Sequence, residues 1–283
     1  MHRHSRLLTV PVGDTDPFTP SPAQPVRVRS RSMLADAHFE PHAHAWAQLA
    51  CCASGVMQVT AERPRPGHAG VQEITCIVPP SRAVWIAPGA MHQITVLEAA
   101  ELRTLYLDAS VTPPGWQGCR VLVVSPLLRE LVHALDTTDS QPGDSARARW
   151  LSALVVDEIT HADLQALGVP LPHAETGDKR LRALCQAVLR APSERATLAG
   201  WAAEVGASER TVARLFREQL GLSYQQWRQQ AILAHALPML ARGQAVGRVA
   251  AASGYASESA FSAMFKAAMG QPPSQFQVQA RHD

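Results

Sequence analysis

The sequence of 283 residues contains no run approaching the ~18 to 20 consecutive apolar residues that a membrane span requires, so no membrane partner is expected. Met1 to Val12 has no apolar stretch followed by a small-residue cleavage site, and the expected location is the cytoplasm. Catalytic phrases are missing as well: GxSxG, the P-loop, GxGxxG and HExxH do not occur. The neighbouring carboxylates Asp157 and Glu158 diverge by about 100° on a helix and make poor acid-base partners. A non-enzymatic protein is expected. The five cysteines, Cys51, Cys52, Cys76, Cys119 and Cys185, form no CxxC pair and no regular spacing. That argues against a disulfide framework and a structural zinc site, and leaves reduced core fillers.

Charge is sparse at 18% of residues, and the net charge of +2 hides an asymmetry. Residues 1–177 carry 13 Arg against 17 Asp and Glu, net −4, whereas residues 178–283 carry 13 Lys and Arg against 7 Asp and Glu, net +6. A basic final third beside an acidic remainder suggests a nucleic-acid-binding module joined to something else.

Along the chain, residues 1–32 hold Pro11, Pro17, Pro20, Pro22 and Pro25 among Thr, Ser and Arg, which reads as a loose arm. Short apolar stretches follow at Trp46 to Ala53, Gly55 to Thr60, Ile74 to Val78, Ala83 to Ala87 and Leu102 to Leu107, punctuated by proline-containing turns. Such spacing predicts a small all-β sandwich or barrel within a domain spanning 33–167. The period then switches to helical over 126–135 and 146–167. The Leu/Val stripe of these two helices calls for cover, either from a second copy in a homodimer or from their own barrel. Residues 168–177 read as a linker, and 178–283 as helices.

The last third repeats itself. Counting from Ser208, Phe216, Gly221 and Trp227 stand eight, thirteen and nineteen residues on; counting from Ser257, Phe265, Gly270 and Phe276 do the same. Each copy reads as a short helix, a glycine turn at Gly206 or Gly254, a Ser N-cap and a second helix, which is the helix-turn-helix plan. In the first copy Val212, Leu215, Phe216 and Leu220 form the inward stripe, leaving Glu209, Arg210, Ala213, Arg214 and Arg217 outside. In the second, Ala260, Phe261, Met264 and Phe265 point inward, with Glu258, Ser259, Ser262, Ala263 and Lys266 outside. Between the copies, Ser223 to Arg242 has a helical pattern, with a kink or break predicted at Pro238.

The stretches Ala202 to Phe216, Gly221 to Arg228, Gly254 to Lys266 and Gly270 to Ser274 resemble the DNA-binding domain of the AraC/XylS family of bacterial transcription regulators. Ile232, where an arginine is usual, and Pro238 depart from the family pattern. The resemblance implies double-stranded DNA as partner, with RNA polymerase as a further one. It places base contacts at Arg210, Ala213, Arg214, Glu258, Ser259, Ser262 and Ala263, while the outward faces and capped helix starts add Glu209, Arg217, Lys266, Ser208 and Ser257 to the expected DNA-binding set. Further upstream, His42-Ala-His44 with Gln48 and Gly55, and Pro88-Gly89-Ala-Met-His92, resemble the two motifs of a cupin-type sensor domain, with Gln48 where Glu is usual and Val96 where Asn is usual. The implied fold is α+β: a cupin-like β-barrel followed by helices, then an all-α double helix-turn-helix domain.

A small-molecule effector is expected in the first domain, in a pocket of His42, His44, Trp46, Gln48, Trp85 and His92. Trp46, Trp85 and Trp116 could line such a pocket, but aromatics in a small barrel are more often core. His42 and His44, two apart on a strand, share a face, and His92 could close a three-nitrogen site for a divalent transition metal such as Zn, Ni, Fe or Mn. No cofactor is required by the regulator reading. Two competing readings are a metal-dependent cupin enzyme with a DNA-binding-like appendage, and a DNA-binding module whose barrel only dimerises.

Overall fold

The computed structural model describes residues 8–11, 18–64, 71–138, 146–165, 168–173, 176–193, 197–204, 206 and 208–282. The chain divides into two compact units, residues 1–62 with 78–166, and residues 63–77 with 167–283.

The first unit is built on β7 (His92–Leu107). Along one edge β7 pairs with β3 (Ala37–His42) and then β2 (Val26–Met33); along the other it pairs with β4 (Ala47–Pro64). Beyond β4 come β6 (Arg82–Ile86), β8 (Cys119–Val123) and β9 (Leu164–Gln165), and β1 (Leu8–Thr9) lies parallel to β3. The hydrogen-bonded path runs β1-β3-β7-β4-β6-β8-β9 and, among the described residues, does not return to its start. The expected barrel is therefore an open, sheet-rich domain. The arm expected over 1–32 loses its last part to β2, whose residues Val26 to Met33 pair one by one with Leu107 to Ala100. Residues 1–7 and 12–17 lie outside the described residues.

Antiparallel partners point to the same face of a sheet, so the register sorts the side chains into two sets. One row, Val28, Leu105, Leu49 and Trp85, is buried against Leu128, Leu131 and Leu135 of α1 (Pro126–Thr138) and Val155 and Ile159 of α2 (Ala146–His161). These helices thus pack on their own sheet, while Leu127, Trp150 and Leu154 stay exposed, Trp150 at 70%. The alternate row, Arg27, Tyr106, Gln48, Ile86 and Cys119, faces the other way and forms an inner face.

Gly55 sets the path of β4. Across Cys52 to Met57 the pairing of β4 with β7 slips by one residue, so Met57, Val59 and Ala61 come to oppose Val96, Ile94 and His92. Here Gly55 has φ +78°, and a Cβ would stand 2.2 Å from the Ala99 carbonyl oxygen.

In the second unit β5 (Val71–Val78) pairs with β10 (Gly168–Leu171), so the first residues of the expected linker form a buried strand. Val169 and Leu171 join a core with Leu181, Leu184 and Val188 of α3 (Lys179–Arg190), Trp201 of α4 (Leu198–Glu204), Val212 of α5 (Glu209–Leu215) and Trp227 of α6 (Tyr224–Ala241). Apolar side chains leave a strand in place where an open linker would expose them. Helix α6 runs through Pro238 as one helix, so of the expected kink or break the break does not occur. Pro238 lacks the donor to Ala234 and its ring crowds that carbonyl, but Ala236, Leu237, Pro238 and Leu240 are all buried, and their packing holds the helix together. The remaining helices are α7 (Val246–Ala252), α8 (Glu258–Met269) and α9 (Pro273–His282). Cys51, Cys52, Cys76, Cys119 and Cys185 are all buried and unbridged, and burial pushes the Cys51 thiol up to about 12.

Replacing Gly55 by Ala should lower the unfolding free energy by about 2 to 4 kcal/mol, since both the positive φ and the carbonyl contact oppose a side chain. Urea unfolding followed by circular dichroism measures this; a loss under 0.5 kcal/mol would show that the slip in β4 does not depend on glycine.

Candidate functional site

Both copies of the C-terminal repeat are built alike. The Ser208 hydroxyl accepts from the Thr211 amide at 3.2 Å and the Ser257 hydroxyl from the Ala260 amide at 3.2 Å, each capping a second helix. In the first copy that helix is α5, continued by a wider π-helical turn at Phe216–Leu220 and ended at Gly221 with φ +73°. In the second it is α8, ended at Gly270 with φ +78°. The aromatic landmarks meet in both copies, Phe216 on Trp227 with centroids 5.5 Å apart and Phe265 on Phe276 at 5.8 Å. Trp201 Nε1 donates to the Tyr224 hydroxyl at 3.0 Å and Trp227 Nε1 to the Pro170 carbonyl at 2.7 Å. Buried aromatics hold each second helix at a fixed angle to its neighbours, in the first copy with their polar tips satisfied.

On α5 and its continuation, Arg210, Arg214 and Arg217 are exposed at i, i+4 and i+7, one stripe of the helix, with Ser208 and Glu209 exposed beside them and Ala213 half-buried. The Arg214 guanidinium pairs with Glu218 one turn on, at 2.9 Å. On α8, Ser257, Glu258, Ser259, Ala263 and Lys266 are exposed and Ser262 is half-buried. Ala260, expected to point inward, is exposed instead, and Met264 is only half-buried; Phe261, Phe265 and Met269 alone fill the inner side. The stripe is narrower because three large side chains suffice to cover a helix of this length.

In the first unit the sensor histidines converge. His42 on β3 lies directly opposite His92 on β7, and the Gly89 amide donates to the His44 carbonyl at 2.9 Å, tying the two motifs together. Ring centroids are 4.3 Å apart for His42 and His92 and 5.0 Å for His44 and His92. Each ring is held through Nδ1 by a backbone carbonyl, His42 by Glu40 at 2.8 Å, His44 by Trp46 at 2.8 Å and His92 by Ala90 at 2.9 Å. A carbonyl only accepts, so every Nδ1 is the donor and every neutral ring keeps its lone pair on Nε2.

The three available ligand atoms fall within 4.8 Å of one another, and His92 Nε2 is buried with no hydrogen-bond partner. His44 Nε2 lies 2.6 Å from Gln48 Oε1, two acceptors face to face, a contact satisfied when the carboxamide turns its NH2 to the ring. Burial, ahead of the neighbouring imidazoles, lowers the His92 pKa to about 4, and burial also lowers that of His42. Trp46 stacks on His44 at 5.3 Å. Trp85 does not belong to this cluster. Strand alternation turns it to the opposite face, where it meets Trp116 at 5.2 Å.

Tyr106 and Arg31 were not picked out by sequence reasoning. Tyr106 stands 5.9 Å from His44 and 6.0 Å from Trp46, and Arg31 acts electrostatically on His42. The available signal was the alternation Val26-Arg27-Val28-Arg29-Ser30-Arg31, a period of two inside a segment read as a loose arm.

Residues 24–222 match the family model of the AraC-like ligand binding domain, and residues 201–279 that of a helix-turn-helix domain. The chain belongs to the AraC family. It is 34% identical over 252 residues to the HTH-type transcriptional regulator NimR of Escherichia coli K12, covering 84% of this chain and 90% of that protein. Among solved structures, ToxT from Vibrio cholerae aligns over 90% of this AraC-family chain and 98% of its own, at 12% identity and a TM-score of 0.36. A DNA-binding transcriptional dual regulator from Escherichia coli K-12 aligns over 39% of this chain and 99% of its own, at 27% identity and a TM-score of 0.36. The protein is thus a DNA-binding transcription regulator with an N-terminal ligand-binding domain. No helix among the described residues is long and apolar enough to cross a membrane.

His92 sets a pH dependence. With a folded pKa of about 4 below the unfolded ~6.5, the unfolded chain takes up the proton first, so stability falls as pH drops through that window. In the presence of a chelator, unfolding free energy should decline by ~3 kcal/mol between pH 6.5 and 4, and His92→Gln should flatten that decline. Equal slopes for the two proteins in pH-dependent urea titrations would refute the assignment.

Proposed function

We propose that this regulator sets its two second helices into successive major grooves of an operator and that a small molecule on the inner face of the N-terminal sheet controls it. The observation that carries the reading is the exposed stripe Arg210, Arg214 and Arg217 on a helix fixed by a cap and an aromatic pair that recur in the second copy. Helix α6, with 18 residues at ~1.5 Å rise, spans ~27 Å, close to one ~34 Å turn of duplex.

In this reading Arg210 and Arg214 fork onto guanine edges, while Arg217, Lys266, Ser208 and Ser257 hold phosphates. Glu209, Ala213, Glu258, Ser259, Ser262 and Ala263 complete the groove-facing set. The exposed Arg214–Glu218 pair is worth only ~0.3 to 0.5 kcal/mol, so exchanging it for a guanine at ~1 to 3 kcal/mol is favourable. The effector acts by binding two arrangements of the chain unequally. The protein works in the cytoplasm with RNA polymerase as partner, and Leu127, Trp150 and Leu154 offer a surface for a homodimer. A metal-dependent enzyme with a DNA-binding-like appendage has less support, because both family models and the relative belong to regulators.

Fluorescence anisotropy against DNA from upstream of the gene, with excess random competitor at two salt concentrations, tests the reading. Arg214→Ala should cost ~1 to 3 kcal/mol on the specific fragment and relax preference at one base pair, whereas Lys266→Ala should weaken all sequences alike and lower the salt slope by ~1. Identical behaviour of the two variants, or binding no better than random DNA, would sink it.

The three locked imidazoles favour an addition: a divalent transition metal held by Nε2 of His42, His44 and His92. The residues fit such an ion, since a carbonyl on each Nδ1 fixes the tautomer and orientation that a ligating histidine needs. Gln48 places a neutral amide where it can serve as a further donor. A bound ion would supply a Lewis-acidic contact for the effector. Calorimetry with zinc should show one ion per chain, lost in His92→Ala; no uptake by the unmutated protein rules the metal out.

A further inference from the structure

The second unit holds a cleft of about 400 Å3 that the exposed arginine stripe leaves unused. Tyr224, Arg228 and Ile232 recur every fourth residue on one face of α6 and line it, with Gln225 and Gln229 beside them. Leu198 of α4 comes to it from the first copy of the repeat, and Tyr255, in the turn before α8, comes from the second together with Met264 of α8. Among the described residues no Asp or Glu lines the cleft.

Arg228 is its cation. The Nη2 group donates to the Pro192 carbonyl at 3.2 Å and stands 3.2 Å from where a Cβ on Gly254 would be. Glycine at 254 leaves the room that the guanidinium fills, so Arg228 is held between the segment before α4 and the turn of the second copy. Its Nε is buried without a hydrogen-bond partner, and no carboxylate of the described residues pairs with it. A guanidinium carries five N–H donors, so this fixed cation keeps most of them for a ligand. Its charge acts on both Tyr224 and Tyr255, and burial raises the pKa of both phenols, which keeps the Tyr255 hydroxyl protonated and able to donate.

Donors thus reach the cleft from α6 and from the turn before α8, and the carboxamides of Gln225, exposed, and Gln229, half-buried, add to them. A tetrahedral phosphate offers oxygens in several directions, whereas a planar carboxylate offers two in one plane. We propose that this cleft binds a phosphate group, held by Arg228 with Tyr255, and the organic part of its ester against Leu198, Ile232 and Met264. The shared chemistry belongs either to a free phosphate ester or to the DNA backbone. Between the two copies it makes either a second control point or an additional DNA anchor, and in neither case does it depend on an effector at the inner face of the first unit.

The test uses the full chain in EDTA with phenyl phosphate and phenol as probes at constant ionic strength. Calorimetry should show saturable binding of phenyl phosphate at least about tenfold tighter than that of phenol. Arg228→Gln should abolish the preference and Arg228→Lys should keep part of it. Tyr255→Phe, which loses only the hydroxyl, should weaken phenyl phosphate about three- to tenfold, and it decides alone should Arg228→Gln fail to fold by circular dichroism. Arg210→Gln, on the outer stripe of α5, should leave the affinity within about twofold. Equal affinities for the two probes, no saturable binding of phenyl phosphate, a preference that survives Arg228→Gln, or an equal loss in Arg210→Gln overturns the proposal. Anisotropy with random duplex then separates the sources, since backbone phosphates are common to all sequences. Saturating phenyl phosphate that lowers duplex affinity to the level of Arg228→Gln assigns the site to the DNA backbone. Binding of probe and duplex together, with Arg228→Gln unchanged toward duplex, assigns it to a free phosphate ester.

Discussion

Alternation along paired strands is the constraint on which the N-terminal domain depends. Five strands, β2, β7, β4, β6 and β8, run in continuous register, so a residue's position in its strand decides which of two environments it enters. Leu49, Leu105 and Trp85 go beneath α1 and α2, and Gln48, Tyr106 and Ile86 go to the inner face. A slip of one residue would exchange a hydrophobic core for arginines and glutamine. The register irregularities between Cys52 and Met57 change the pairing of β4 with β7, and His92 and Tyr106 of β7 both stand beside His44.

The C-terminal unit depends on a different device, repeated. An aromatic residue eight positions after the capping serine meets a second aromatic nineteen positions after it, and a glycine between them takes a positive φ to turn the chain back. These contacts fix the second helix from the inside and free its outer side for other work. The two copies share the internal device and differ outside, three arginines on the first and one lysine on the second. Equivalent scaffolds thus present unequal charge, which suits one copy to base reading and the other to positioning.

Much of this was legible in the residues. The repeat at Ser208 and Ser257 located both helix-turn-helix motifs, and each landmark proved to have a physical task. The histidine motifs located three rings that do converge, His42 on β3, His44 in the turn after it and His92 on β7. Other features resisted reading. Trp85 and Trp46 are alike in composition terms, yet alternation along β6 sends Trp85 to the core, while Trp46, in the turn before β4, stacks on His44. Residues 168–171 look like linker because Gly168 and Pro170 interrupt them, whereas pairing with β5 and the core around Trp227 make them a strand. The closed barrel inferred from short strands is an open path, since strand count and spacing carry no information on which edges meet.

Local chemistry in the sequence determined the elements that need only their neighbours: capped helices, glycine turns, the basic third and the arginine stripe on α5. Those features are written in a few consecutive residues, because a cap or a helical face is settled within a turn or two. Tertiary structure alone decided which strand lies beside which, and through that the inner face. Arg31, Tyr106, Gln48 and His92 are separated by long stretches of chain and share no motif. They become one surface because hydrogen-bonded register carries the phase of one strand to the next, a long-range relation that no local pattern encodes.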